Sequence, residues 1–118
     1  METEPFVSIV IPTTGEVKFI KGLVESVAKL RYPKNKFELV FMGYKPTRLL
    51  EKNSKKAKEE GIDVTVKYHP VPAGQKRNIG ADVAKGSVIA FTDDDTILRE
   101  DWLQNGVKHL HKNKKYVG

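Results

Sequence analysis

The chain has 118 residues, a length that fits one domain with one modest core. With 39% hydrophobic and 31% charged residues it has an ordinary globular balance, and the absence of cysteine excludes a disulfide framework, a thiol nucleophile and a Cys-ligated zinc. The net charge of +6 gathers largely in Lys52–Lys58 and Lys108–Lys115, and no aromatics interleave these lysines. They therefore read as solvated helix faces, and no nucleic-acid partner is expected. Phe6–Ile11 reads as a first buried strand, and Pro12-Thr13-Thr14-Gly15 as a loop. Ile20, Leu23, Val24, Val27 and Leu30 recur at helical spacing, and Tyr32-Pro33 ends that helix. Phe37–Met42 is a second apolar strand, and Gly43–Pro46 leads into a Lys-rich helix that stops near Gly61. Ile62, Val64, Val66 and Tyr68 alternate with polar residues, as in a half-exposed strand. His69–Gly74 is a rigid loop, followed by a helix from about Gln75 to Lys85, closed by Gly86. The Ser87–Thr92 strand follows, then a helix with Trp102, Leu103, Gly106, Val107 and Leu110 on one face. Tyr116-Val117-Gly118 resembles the start of another strand.

Alternating strands and helices imply parallel pairing through right-handed crossovers. The expected architecture is a Rossmann-like, three-layer α/β/α domain over residues 1–118, with a mostly parallel sheet in the order 3-2-1-4. Its switch point lies between the first strand and Ser87–Thr92, where the loops at Pro12–Gly15, Gly43–Pro46 and Asp93–Asp95 meet. The last of these loops is the most informative segment. Val88-Ile89-Ala90-Phe91-Thr92 ends in Asp93-Asp94-Asp95, and crowded carboxylates repel unless a cation or a donor network neutralises them. A hard divalent ion does this and can bridge to phosphate oxygens. A solvated turn in which Asp or Thr caps the next helix is the competing reading. His69, His109 and His111 are not spaced as a metal-ligand set and read as surface residues.

Several segments together resemble the amino-terminal half of family 2 glycosyltransferases of the GT-A fold. They are Val7–Pro12, Leu23–Val27, Phe37–Val40, Gly74–Gly80, Ala84–Gly86, Phe91–Asp95 and Asp101–Leu103, in the family's order and spacing. The resemblance implies a truncated GT-A fold, a UDP- or GDP-sugar donor, a divalent cation (Mn²⁺ or Mg²⁺) and sugar transfer with inversion. It implies that Asp93 faces the ribose or nucleoside, with Asp94 beside it, and that Asp95, with Asp93, reaches the metal on the diphosphate. Pro12, Thr13 and Thr14 would line the nucleotide. Lys76, Arg77 and Asn78 would approach its base and phosphates, in keeping with the donor-rich start of a helix. Solvated and capping roles for the last three are the plainer alternative.

The chain departs from the pattern at Gly43, which stands where the family usually has an Asp that pairs with the base. Nucleoside diphosphates are therefore expected to bind within about tenfold of one another, a gap of roughly 1.4 kcal/mol, with Tyr44 available to stack on a base. The acceptor site and catalytic base, normally in the family's second half, are not found. The catalytic residues and the acceptor are unknown, and a second chain or oligomer is expected to supply the acceptor half. Two further readings stay open. One is a non-catalytic nucleotide-binding module or a subunit of a split enzyme. The other is a haloacid-dehalogenase-like phosphatase built on Asp93-Asp94-Asp95-Thr96. No apolar run approaches the roughly 18 residues that cross a bilayer, and Met1-Glu2-Thr3-Glu4-Pro5 is unlike a secretory signal. The expected location is cytoplasmic, with peripheral contact of the basic surface with an anionic membrane left open.

Overall fold

The two longest apolar runs form the middle of the sheet. In the computed structural model, which describes residues 4–14, 18–109 and 116–117, strands β1 (Val7–Thr13) and β2 (Phe37–Gly43) are buried along their whole length. Continuous burial is what a parallel strand needs when both sheet faces are covered. β1 pairs in parallel with β2 on one side and with β4 (Val88–Phe91) on the other. β3 (Asp63–Tyr68) joins β2, and β5 (Tyr116–Val117) joins β4, giving the order β3-β2-β1-β4-β5. The expected 3-2-1-4 order is present, and the strand start at Tyr116 adds itself beside β4. β3 is half-buried, with only Asp63 and Lys67 exposed, and no position is wholly buried.

Strand periodicity sorts the side chains between two cores. Val7, Ile9 and Ile11, with Phe37, Leu39 and Phe41, face α1 (Ile20–Ala28), α2 (Arg48–Glu59) and α4 (Trp102–Lys108). Val10, Val40, Met42 and Ile89 face α3 (Ala73–Val83) on the opposite side. The result is the expected three-layer arrangement. Ile20, Leu23 and Val27 of α1 are fully buried. Each contributes about 2 kcal/mol of apolar burial, and Leu23→Ala would cost about 3 kcal/mol with its cavity.

Some boundaries differ from expectation. α1 ends at Ala28, although Leu30 still packs into the core. α3 starts two residues early, directly after Pro72, whose carbonyl accepts hydrogen bonds from the Gln75 and Lys76 amides. It ends at Val83 because Ala84 turns extended, at φ −68° and ψ 140°. The expected role of Leu110 lies outside the described residues. Exposed Lys52, Lys55 and Lys58 on α2 form the solvated face read from the sequence. Among the described residues no helix is long and apolar enough to cross a membrane.

Two glycines set the position of α3. A Cβ on Gly80 would stand 2.5 Å from Val10 Cγ1 and 3.0 Å from Met42 Cγ, so only glycine lets the helix lie this close to the sheet. A Cβ on Gly86 would stand 2.7 Å from both the Phe6 carbonyl oxygen and the Ser8 nitrogen. There the chain passes against backbone before entering β4. A buried polar cluster holds this corner. The Ser8 hydroxyl donates to Glu38 Oε2 at 2.6 Å, the Lys85 amide donates to the same oxygen at 2.8 Å, and the Gly86 amide donates to Ser8 Oγ at 2.8 Å.

Candidate functional site

The parallel register brings the carboxyl ends of the strands to one level. Thr13 lies beside Gly43, and Gly43 beside Tyr68. A cleft of about 790 Å³ opens over these ends. Pro12, Thr13 and Thr14 come from the end of β1, and Tyr44 from just beyond β2. Pro70, Val71 and Pro72 follow β3, Lys76 and Arg77 belong to the start of α3, and Asp93, Asp94 and Asp95 follow β4. Ligand clefts of α/β sheets form at this end because every strand-to-helix loop opens there.

Thr13 ties the two charged sides of the cleft together. Its hydroxyl donates to Asp94 Oδ2 at 2.7 Å, and its carbonyl accepts from Lys76 Nζ at 3.2 Å. Lys76 lies four residues before Gly80, on the same helix face, so it points over the sheet rather than into solvent. It is only 4% exposed, with its ammonium 5.3 Å from the centre of the half-exposed Tyr44 ring. Burial pushes the ammonium below its ordinary pKa of 10.5, and the Asp94 carboxylate pulls it partly back up. Arg77, one position on, is more exposed and pairs with Asp93 at 3.1 Å. Both partners are well exposed, so that pair is worth less than about 1 kcal/mol.

The three consecutive carboxylates diverge. Asp93 turns to Arg77 and Asp94 to Thr13, while exposed Asp95 has no partner among the described residues. No three Asp, Glu or His side chains converge among the described residues, so no closed metal cage exists there. One free carboxylate with open positions around it instead suits a cation shared with a phosphorylated ligand, the usual arrangement for Mg²⁺.

The structure gathers most of the sequence-derived candidates into one place. Pro12, Thr13, Thr14, Lys76, Arg77 and Asp93–Asp95 all line the cleft, but Gly43 and Asn78 do not. Gly43 is buried at the end of β2, where a Cβ would stand 2.9 Å from the Tyr68 ring and 3.1 Å from Leu50 Cδ2. An acidic side chain at this position would require Tyr68 to move. Asn78 is exposed on α3 outside the cleft. The solvated helix start considered for Lys76 is not observed, since that side chain is buried. Sequence reading omitted the Pro70–Pro72 wall. Its signal was present, because a loop leaving a parallel strand ends at the same edge as the other three. Asp101 occupies the N-cap position of α4 without a side-chain capping bond and pairs instead with Arg99 at 3.3 Å. Glu100 pairs with Arg31 at 3.1 Å. His111 lies outside the described residues.

Residues 8–118 match the family model described as glycosyl transferase family 2. The glycosyltransferase AglE of Haloferax volcanii is 27% identical over 111 residues, a match covering 92% of this chain and 36% of AglE. The poly(ribitol-phosphate) β-N-acetylglucosaminyltransferase TarS of Staphylococcus aureus is 25% identical over 112 residues, covering 93% of this chain and 20% of TarS. The structure of TarS residues 1–349 with UDP-GlcNAc superimposes with a TM-score of 0.75, covering 86% of this chain and 30% of that one. The fold is shared as well with the mannosyltransferase PcManGT of Pyrobaculum calidifontis, solved with GDP-Man and Mn²⁺. There the TM-score is 0.79 at 23% identity, over 94% of this chain and 34% of that one. The chain thus spans about a third or less of the length of these relatives. With a family match along nearly its whole length, a GT-A arrangement of strands and a cleft at their carboxyl ends, the chain belongs to glycosyl transferase family 2.

Proposed function

We propose that the cleft binds a nucleoside-diphosphate sugar and forms the donor side of an inverting, metal-dependent sugar transfer. The observation that carries this reading is Asp95, a carboxylate just beyond β4 with no partner among the described residues, in a cleft that Lys76 and Arg77 also line. Asp95 is the residue to hold Mn²⁺ or Mg²⁺, with Asp93 as the second candidate; the ion's chemistry there is Lewis-acid stabilisation of the leaving diphosphate. Thr13 and Asp94 fix the floor of the cleft through their mutual hydrogen bond. Arg77 holds Asp93 in place and leaves its remaining donors for phosphate oxygens. The UDP-GlcNAc bound by TarS, a relative at 25% identity, supports the same ligand class.

The acceptor side is a separate matter. Inverting transfer needs a base within hydrogen-bond reach of the acceptor hydroxyl. Asp93 and Asp94 are engaged, Asp95 is assigned to the cation, and Glu100 and Asp101 pair with arginines elsewhere. None of these five carboxylates is therefore left to act as that base.

Titration calorimetry with UDP and GDP, with and without Mn²⁺, tests the donor site. Asp95→Ala should abolish the metal-dependent part of the affinity while the domain melts as before, since the exposed Asp95 side chain makes no bond among the described residues. Metal-dependent binding that survives in this variant would rule the assignment out.

A further inference from the structure

One edge of the sheet is open. β3 pairs with β2 alone, and among the described residues no strand pairs with its far side. The ladder to β2 decides which groups that side presents. The His69 amide donates to the Gly43 carbonyl, and Gly43 is in register with Tyr68. Backbone groups of successive strand residues point to opposite sides. Asp63, Thr65 and Lys67 therefore turn their N–H and C=O groups to β2, as His69 does, while Val64 and Val66 turn theirs outward. An open edge is usually blunted by proline, a bulge or an unmatched charge, and β3 contains no proline.

The strand is also complementary to its own reverse. Asp63-Val64-Thr65-Val66-Lys67 has an acid and a base at its ends, a valine inside each and threonine at the centre. Antiparallel pairing joins residues whose backbone groups both point across the gap or both point away from it. Among the registers that meet this condition, the one centred on Thr65 sets Asp63 against Lys67, Val64 against Val66 and Thr65 against itself. The smallest allowed shift in either direction sets Lys67 or Asp63 against Thr65 and leaves the charges unmatched. A lone lysine keeps an edge from pairing, but a lysine met by an aspartate favours it. Both side chains are exposed, and Asp63 is held only by a loose pair with Lys85 at 3.9 Å.

We propose that β3 is a self-association surface, on which a second copy of this chain lays its own β3 antiparallel about a twofold axis at Thr65. Val64 exchanges both of its backbone hydrogen bonds with Val66 of the second copy, and the sheet runs on across both molecules. The axis reverses strand direction, so the two clefts open at opposite ends of the joined sheet and neither copy covers the other's. The surface acts independently of the donor site.

Sedimentation equilibrium of the full chain, from ~1 µM to ~1 mM in about 0.15 M salt, tests this. So short an edge is smaller than a permanent interface, and a monomer–dimer equilibrium with a dissociation constant of ~10–500 µM is expected. Asp63→Lys and Lys67→Asp should each weaken the dimer ~10-fold or more, because each sets like charges opposite one another on both sides of the axis. Combining the two substitutions in one chain exchanges the partners and should restore it. Both positions are exposed, so these variants should melt as the wild type does. The chain has no cysteine, so Thr65→Cys introduces a single thiol. Across the axis its Cα atoms would stand about 4.5 Å apart, and oxidised glutathione should link the copies. Lys67→Cys, with its equivalents about 14 Å apart, should not link. A wild-type chain that stays monomeric at ~1 mM overturns the proposal. A dimer that neither charge reversal weakens overturns it too, as does one in which Lys67→Cys links as readily as Thr65→Cys.

Discussion

At the amino ends of β1 and β2, Ser8, Glu38, Lys85 and Gly86 direct their hydrogen bonds at one another. At the carboxyl ends of the same strands, about 17 Å away by strand rise, Thr13, Lys76, Asp94 and Asp95 satisfy one another only in part. Both clusters are polar and both sit at an end of the central strands, yet the first is sealed while the second faces a cleft. Sealed polar groups must find partners inside the protein or lose more than a hydrogen bond is worth. Groups on a cleft can wait for a ligand. The difference teaches where function sits in this fold: in the polar cluster that opens on a cleft, not in the one that is most buried.

The comparison breaks most clearly at Glu38. The residue is fully buried, and Oε2 serves both the Ser8 hydroxyl and the Lys85 amide, although Oε1 finds no partner among the described residues. Glu38→Ala strands two donors and empties a carboxylate-sized space, so it should cost about 3 kcal/mol in urea unfolding. Glu38→Gln keeps an acceptor and should cost less. Nucleotide affinity of the folded fraction should not change, because the cluster lies at the far end of the strands. A loss of affinity without a loss of stability would mean that the two ends are not separate.

Gly80 links the ends, since α3 rests on the sheet there and carries Lys76 and Arg77 into the cleft. An added methyl 2.5 Å from Val10 Cγ1 must push the helix outward. Gly80→Ala should therefore lose about 2 kcal/mol of stability, the usual cost of overpacking. Unlike Glu38→Ala it should also weaken nucleotide binding several-fold, which the same calorimetry reads. Unaltered binding in this variant would show that the helix start is placed by its loop rather than by this contact.

How much of this was legible beforehand depended on what kind of signal each residue carries. β1 and β2 were plain because a strand buried on both faces is a continuous apolar run, as in Val7–Ile11 and Phe37–Met42. The order of the sheet followed from strand–helix alternation, and with it the meeting of Pro12–Thr14 with Asp93–Asp95. The ends of α3 were misplaced because the helix is hardly amphipathic and packs through glycine rather than through a row of large apolar side chains. The burial of Lys76 was hidden for the same reason: a lysine near a helix start normally reaches solvent, and only the close approach at Gly80 turns it inward. Gly43 was visible as a departure from a pattern. Its physical reason, the ring of Tyr68 in register beside it, is a contact between strands that no local pattern carries.

The smallest effect expected is a slope in pH, and it concerns the cost of leaving a charge incompletely paired. Burial lowers the Lys76 pKa in the folded chain, with Asp94 acting against that shift. The unfolded chain then binds more protons than the folded one between the lowered value and the ordinary 10.5. Stability attributable to this group must rise with pH across that window, because the penalty for the buried charge is full below it and gone above it. Lys76→Met removes the charge and with it the penalty. It also removes the Thr13 hydrogen bond and alters packing against Tyr44, but these changes do not vary with the protonation of residue 76. The diagnostic is therefore the change in the melting-temperature difference between variant and wild type, not its value at any one pH. Moving from pH 7 to about 10.5, that difference should shift in favour of the wild type. A difference that stays flat across this range would show that the ammonium is better solvated in the cleft than its burial implies. A Lys76 free of strain would then place the open end of the sheet on the same footing as the sealed one.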